Sequence, residues 1–321
     1  TITASYAEWE ALVNALDSWI KAPSAAGVSL SGKAYTLRPA KTALTENLNG
    51  VFAVMGAEQW TYGDHLINIP LNAAFSSVND AANASAERLR DLTKPLIEYA
   101  RALDFKTRHL AGKNGPASRG QDLVSPANFG YDQTVQIFAE GKALFLKQGN
   151  WAYNNIANIN RETAERLSFL PVKMPFAQSD ITAPGVTVEK LNRSIPAFVP
   201  NYYAVNALAR ESEKKAAYDF LVWMNTTPAG QRFVVDEMAF IPYNADPAVT
   251  RVSNSLGNSI ISYMAKGDTM PDVWHGFPVT WAGDIAGRYI KENYLVKAAW
   301  TEADYEQFAS YAVEQLIELR K

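Results

Sequence analysis

Short apolar runs enclosed by glycines alternate with amphipathic helical stretches, and this alternation restricts the fold more than any other feature of the chain. Residues 51–55 lie between Gly50 and Gly56, and residues 143–146 between Gly141 and Gly149. Each run is too short for a helix and too continuous for a strand with one wet face, so each reads as a buried strand. Ser5-x-x-Glu8 is a capping box that opens a helix with Trp9, Leu12, Val13, Leu16 and Ile20 on one stripe, and Thr301-x-x-Asp304 opens another with Tyr305, Phe308, Ala309, Ala312, Leu316 and Leu319. Leu89, Leu92, Leu96, Ala100 and Leu103 share a face of residues 86–105, where Pro95 either kinks one helix or sits in the first turn of a shorter one; a single helix with a defect is the reading adopted. Residues 133–140 read as helix, 167–172 and 203–205 as strands, and Thr227-Pro228 as the start of another helix. Residues 111–130 read as an exposed loop and 171–200 as a long surface excursion that crosses between lobes. The pattern predicts an α/β fold, with helices covering a mostly parallel sheet. In such sheets ligands bind beyond the carboxyl ends of strands, here the loops after Met55 and Leu146, and each of these presents a tryptophan.

Composition removes several function classes. The 321 residues are 48% hydrophobic, enough to bury a large core in two lobes. With 30 Lys+Arg against 33 Asp+Glu and no block of like charge, nothing would track a phosphate backbone, so nucleic acid is not expected as a partner. The absence of cysteine removes thiol catalysis, disulfides and thiolate metal sites. His65, His109 and His275 are scattered without metal-ligand spacing and read as structural or solvent-facing, so neither a metal nor a cofactor is expected. No apolar run reaches the roughly 18 to 20 residues of a membrane span, and no charged-then-apolar segment opens the chain.

Three passages carry a resemblance. The first is Phe138-Ala-Glu-Gly141-Lys-Ala-Leu-Phe-Leu-Lys-Gln-Gly149-Asn150-Trp151-Ala, a helix, glycine, strand and Gly-x-Trp-Ala loop. The second is Glu213-Lys-Lys-Ala-Ala-Tyr-Asp-Phe-Leu-Val-Trp-Met with Thr227-Pro-Ala-Gly-Gln231 and Phe240-Ile-Pro242; the third is Tyr263-Met-Ala-Lys-Gly-Asp-Thr-Met-Pro271 with Trp281 ten residues on. In this order they resemble the bacterial extracellular solute-binding proteins for carbohydrates, the maltose-binding type that serves ABC importers. The resemblance implies a two-lobe periplasmic-binding-protein-like (type II) fold. Residues 1–190 and 251–321 would form the C-terminal lobe, and 191–250 a remnant of an N-terminal lobe whose first part is absent from this chain. It further implies a carbohydrate ligand, ABC permease subunits as partners, a second chain or missing segment completing the first lobe, and a periplasmic or lipid-anchored extracytoplasmic location. No catalytic residue is implied.

A sugar ring has an apolar face and a polar rim, so a protein grips it with an aromatic platform flanked by hydrogen-bonding groups. By position in the family's motifs, Trp151 is a stacking platform, with Asn150 beside it; the alternative is a core ring after a strand. Glu58 and Trp60 match an acidic and an aromatic contact, assisted by Tyr62 and Asp64, although Asp64 equally suits the cap of the next helix. Trp281 matches another platform and is favoured over Trp274. The arginine that the family places one turn after Trp281 is missing, Asp284 and Ile285 standing there and Arg288 coming later. Asn201 and Tyr202 would reach the ligand from the hinge side. Trp9, Trp19, Trp223 and Trp300 follow helical patterns and read as core or helix-surface residues. Aromatic rings beside carboxylates also describe a glycoside hydrolase, and a third reading is a surface adhesin or carbohydrate-binding module, which usually presents an all-β face.

Overall fold

The computed structural model describes residues 4–197, 203–238 and 240–321. Both capping boxes form. The Ser5 hydroxyl accepts from the Glu8 amide at 3.2 Å while the Glu8 carboxylate accepts from the Ser5 amide at 2.9 Å, and Thr301 and Asp304 repeat the exchange. They open the helices Tyr6–Lys21 and Glu302–Glu318.

The sheets are short and the architecture is mixed α/β. An outlying hairpin, β1 (Gly27–Leu30) and β2 (Lys33–Thr36), precedes the central four strands: β3 (Gly50–Ala53), β4 (Leu110–Ala111), β5 (Pro116–Ala117) and β6 (Ala143–Leu146). Their order is β5-β4-β3-β6; β3 runs parallel to β4 and β6, and β5 closes antiparallel on β4. Gly50 permits the close approach of β3 to β4, since a Cβ there would stand 2.2 Å from the Ala111 nitrogen. Phe52 and Phe145 are register partners and both meet Trp9, at 6.3 and 5.1 Å between ring centres. Alternation along a strand turns Leu146 to the other face, where it packs with Met55, Val135, Ala139, Ala152 and Ile156. A further parallel pair, β7 (Ile195–Pro196) and β8 (Thr269–Met270), stands apart.

The main core lies where the helix Thr93–Lys106 packs on Glu302–Glu318, burying Tyr99, Leu103, Phe308 and Ala312. The buried Asp104 carboxylate there accepts from Arg119, from Arg108 at 2.7 Å and from the Tyr305 hydroxyl at 2.6 Å, so its charge is fully partnered.

Several sequence expectations change. Residues 86–105 are not one helix: Ala86–Leu89 passes through a tighter turn at Arg90–Leu92 into Thr93–Lys106, and Pro95 sits in that helix's first turn, where a missing N–H forfeits no bond. Residues 167–172 form no strand. Side chains hold that segment and the residues just after it instead: the Phe169 amide donates to the Ser259 hydroxyl at 2.9 Å, the Tyr263 hydroxyl donates to the Phe169 carbonyl at 3.2 Å, and the Asn192 carboxamide brackets the backbone of Met174. Residues 203–205 are likewise irregular. The described part of the 171–200 stretch, residues 171–197, is no surface excursion, because Met174, Phe176 and Leu191 enter the main core and the Thr182 and Ala183 amides donate to the Ala73 carbonyl; residues 198–200 lie outside the described residues. Among the described residues no helix is long and apolar enough to cross a membrane.

One region stays outside the core. The helices Glu211–Thr226 and Pro228–Arg232 and the wider turn Phe233–Glu237 contribute to neither apolar cluster. Tyr218, Phe220, Val222, Trp223 and Phe233 are exposed along them, and Leu208 beside them is 94% exposed.

Candidate aromatic binding site

Three indole rings reach one histidine from three separate parts of the chain. The first part is the loop after β3. Gly56 must be glycine because a Cβ there would meet the Leu123 carbonyl oxygen at 2.2 Å, and the Tyr62 hydroxyl donates back to the Gly56 carbonyl at 3.0 Å. The backbone then widens into a π-helical turn, Thr61–His65, immediately after Trp60. A second π-helical stretch, Trp281–Gly287, packs against it through Gly63, where a Cβ would stand 2.6 Å from the Ala282 oxygen and 3.0 Å from the Gly283 and Gly287 α-carbons. Such turns collect at functional sites because they displace side chains from helical register.

The second part follows β6. Trp151 begins the helix Ala152–Ile159, and its indole folds over Gly149 so closely that a Cβ there would lie 2.1 Å from the ring. The Gly-x-Trp spacing is thus a steric requirement. The third part is Trp274, placed by a buried carboxamide: Asn68 Oδ1 accepts from the amides of Val273 (2.9 Å) and Trp274 (3.1 Å), and Asn68 Nδ2 donates to the Pro271 carbonyl (3.1 Å), as does Asn72 Nδ2 (3.0 Å).

The imidazole of His65 stands edge-on to all three rings, 5.1 Å from Trp60, 5.2 Å from Trp151 and 6.0 Å from Trp274. Tyr131 stacks on Trp60 at 6.2 Å and 26°, and the Glu58 carboxylate accepts from the Trp60 indole nitrogen at 3.0 Å. Burial, reinforced by the charge of Lys147, pushes His65 down to about 3, so it is neutral at physiological pH. Lys147 is itself held well below its ordinary value by burial and then by Lys106, and it donates to the Thr61 carbonyl at 2.9 Å. Asp64 is pushed up to about 6 by burial and then by the charge of Asp284, against the opposing pull of the Gly283 amide and Lys147. Carboxylate, amine and imidazole are all biased toward their uncharged forms, the electrostatic mark of a desolvated site.

The structure brings together Trp60, Trp151 and Trp274, with Glu58 on Trp60, Asp64 adjoining His65, and Asn150 adjoining Trp151. Asp64 caps nothing: the helix Asn68–Ala74 has Ile67 at its cap, and Asp64 is bonded to Gly283 instead. Trp281 is a correction. It is 0% exposed, packs on Phe277 at 5.3 Å, and donates its indole N–H to the Ala312 carbonyl at 2.7 Å, so it is a core ring and the preference for it over Trp274 is reversed. Asn201 and Tyr202 lie outside the described residues. Sequence reasoning missed Tyr131, Lys147 and Asn68, and it read His65 as a structural or solvent residue. The available signal for His65 was its position five residues after Trp60 in the same loop after a strand.

A groove of about 620 Å³ lies elsewhere, between the 112–122 loop and the Gln133, Gln136 and Glu140 side of the helix Tyr131–Ala139. It contains none of the anticipated site residues, and Phe129 is its single aromatic residue, so it offers no stacking platform. Among the described residues no group of three or more His, Cys, Asp or Glu could hold a metal ion. In comparisons with known proteins, the sequence matches no family model and no curated protein.

Proposed function

We propose that this chain is the ligand-gripping part of an extracytoplasmic solute-binding protein, one that captures a sugar or oligosaccharide and delivers it to an ABC importer. The observation that carries the reading is the convergence of Trp60, Trp151 and Trp274 on the neutral His65, beside the carboxyl ends of β3 and β6. Indole faces take up the apolar side of a pyranose, and Glu58, Asp64 and Asn150 at the margin suit its hydroxyls.

The resemblance of the three sequence passages supports a two-lobe type II fold, with residues 1–190 and 251–321 as one lobe and 191–250 as part of the other. The exposed apolar side chains Tyr218, Phe220, Val222 and Trp223 of the helix Glu211–Thr226 are consistent with that division, since neighbouring exposed apolar side chains mark a surface that a partner covers. The covering partner in this reading is the remainder of the first lobe, carried on a missing segment or a second chain, and ABC permease subunits dock on the lobe tips. The location is the periplasm or the outer face of the membrane.

One observation favours a second reading. A carboxyl group raised to about 6, as at Asp64, is the state a glycoside hydrolase gives its general acid. A thermal-shift screen against mono- and oligosaccharides separates the two when paired with a reducing-end assay. Binding without turnover is expected: a raised melting temperature and altered tryptophan emission with the sugar recovered intact. Release of new reducing ends would install the hydrolase, and silence toward every sugar would remove both readings.

A further inference from the structure

We propose that the groove beside the helix Tyr131–Ala139 is a second binding site, separate from the indoles, and that it takes a short extended peptide with free termini. This inference goes beyond the carbohydrate reading and does not depend on it.

Both walls of the groove are fixed by the protein itself. The 112–122 loop is pinned at its start by the Asn49 carboxamide, which donates to the Gly112 carbonyl at 3.0 Å and accepts from the Gly112 amide at 3.1 Å. Nearer its end, Arg119 donates to the buried Asp104 and, at 2.9 Å, to the Ala298 carbonyl, and the Gly120 amide donates to the Leu295 carbonyl at 2.9 Å. The opposite wall is a helix that sends Val135 and Ala139 into an apolar cluster. The space of about 620 Å³ is therefore shaped before a ligand enters, and it falls within the range of small-ligand sites.

The lining selects the ligand. Glu140 accepts from Gln136 at 2.7 Å and from Lys142 at 2.5 Å, and Arg119 is paired with Asp104, so these charges are satisfied internally. The carboxamides of Asn114, Gln121, Asn128 and Gln133 make no hydrogen bond among the described residues, and Lys113 and Asp122 form no ion pair there. Each carboxamide carries donors and an acceptor, the complement of a peptide backbone with its alternating N–H and C=O groups. A sugar or a nucleobase would require a ring face, and the single aromatic residue of the lining, Phe129, is buried. The unpaired charges stand at opposite ends. Glu140 is held below its ordinary value by its bonds to Lys142 and Gln136 and then by the charge of Lys113, which places Lys113 at the C-terminal end of the helix. The Asp122 carbonyl accepts from the Ser125 amide at 3.2 Å, next to the turn Pro126–Phe129 that leads into the helix start. From Gln133 to Glu140 the helix rises ~10 Å, about three residues of extended chain. A tripeptide with its carboxylate toward Lys113 and its ammonium toward Asp122 matches that length and that charge order.

The test is equilibrium dialysis of the whole chain against a mixed library of free tripeptides, with the retained members identified by mass spectrometry, and against the same library acetylated and amidated at its ends. Free tripeptides should be enriched, and the capped library should be retained about tenfold less. Asn128→Ala combined with Gln133→Ala removes two exposed, unpartnered carboxamides; this variant should melt with the parent and lose about tenfold in enrichment. Lys113→Ala combined with Asp122→Ala should make the free and capped libraries bind alike, which keeps the test decisive should the first variant melt early. No enrichment by the parent, or enrichment undiminished in both variants, would overturn the site. Equal retention of the capped library by the parent would overturn the requirement for free termini.

Discussion

Trp151→Ala and Trp281→Ala should separate binding from folding, although both rings look like platforms by sequence position. Trp281 is fully buried, so truncation removes a large indole surface from the core; at about 25 cal/mol per Å² over about 250 Å², the transfer loss is at most ~6 kcal/mol. The Ala312 carbonyl loses its indole donor as well, which adds about 1–3 kcal/mol. Trp151 is 37% exposed, which lowers the same area estimate to at most ~4 kcal/mol; the space it vacates opens to solvent, so no sealed cavity adds to the loss. W281A should therefore be the less stable variant by about 3 kcal/mol or more, a large share of the roughly 5–15 kcal/mol that holds a typical domain together. Binding should follow the opposite order among folded molecules. W151A should weaken a sugar by about 1–3 kcal/mol, or about 5- to 150-fold, while W281A binds normally at temperatures where it remains folded. Urea unfolding followed by far-ultraviolet circular dichroism gives the first ranking, and sugar titration below the unfolding transition gives the second. Equal destabilisation by the two substitutions, or parent-like sugar affinity in a folded W151A, would refute the assignment of one ring to the site and the other to the core.

Three further outcomes follow from the same geometry. Asp64 has a folded value near 6 against an ordinary 3.8, so its ionised form is disfavoured in the native state, and this contribution makes the protein more stable as pH falls through 6 toward 4. D64N keeps an acceptor for the Gly283 amide without the charge, and its melting temperature should exceed the parent's above pH 7, the gap closing on acidification; a gap that widens toward pH 4 contradicts the assignment. N68A strips the buried amides of Val273 and Trp274 of their acceptor and should lower stability by about 2–3 kcal/mol in urea melts while also reducing sugar binding, because Trp274 loses its anchor; unchanged affinity would detach Trp274 from the site. Phe220→Ser combined with Val222→Ser should leave the melting temperature nearly unchanged, since both residues are at least half exposed, and should reduce self-association in light scattering; a collapse of the melt would show that those side chains are already packed.

Local signals were the legible ones. Capping boxes, the Thr227-Pro228 helix start and the glycine-bounded runs at β3 and β6 depend on atoms a few residues apart, and all are present. What failed depended on partners distant in the chain. Residues 167–172 have a strand's composition, but Ser259 and Tyr263 bond the backbone of Phe169 within them and Asn192 bonds that of Met174 just beyond, and no local pattern encodes that. Trp281 and Trp274 differ in the same way: the helix Glu302–Glu318 takes the first into the core, while Asn68, some two hundred positions upstream, sets the second.

The site itself divides along this line. Trp60 and Trp151 were readable because each follows a strand by a few residues, and parallel neighbours β3 and β6 deliver their following loops to the same end of a sheet. His65 was not, because its place five residues after Trp60 puts it in the right loop but does not distinguish a solvent-facing ring from one desolvated by three indoles. The distinction arises when Gly63 meets Gly283 and Gly287, because only hydrogen-sized side chains let two π-helical turns pack at that distance. Those glycines, and not the aromatic residues, are therefore the sequence positions that fix where the imidazole stands. Any side chain added at Gly63 must push the Thr61–His65 turn away from Trp281–Gly287 and carry His65 out of the junction with it.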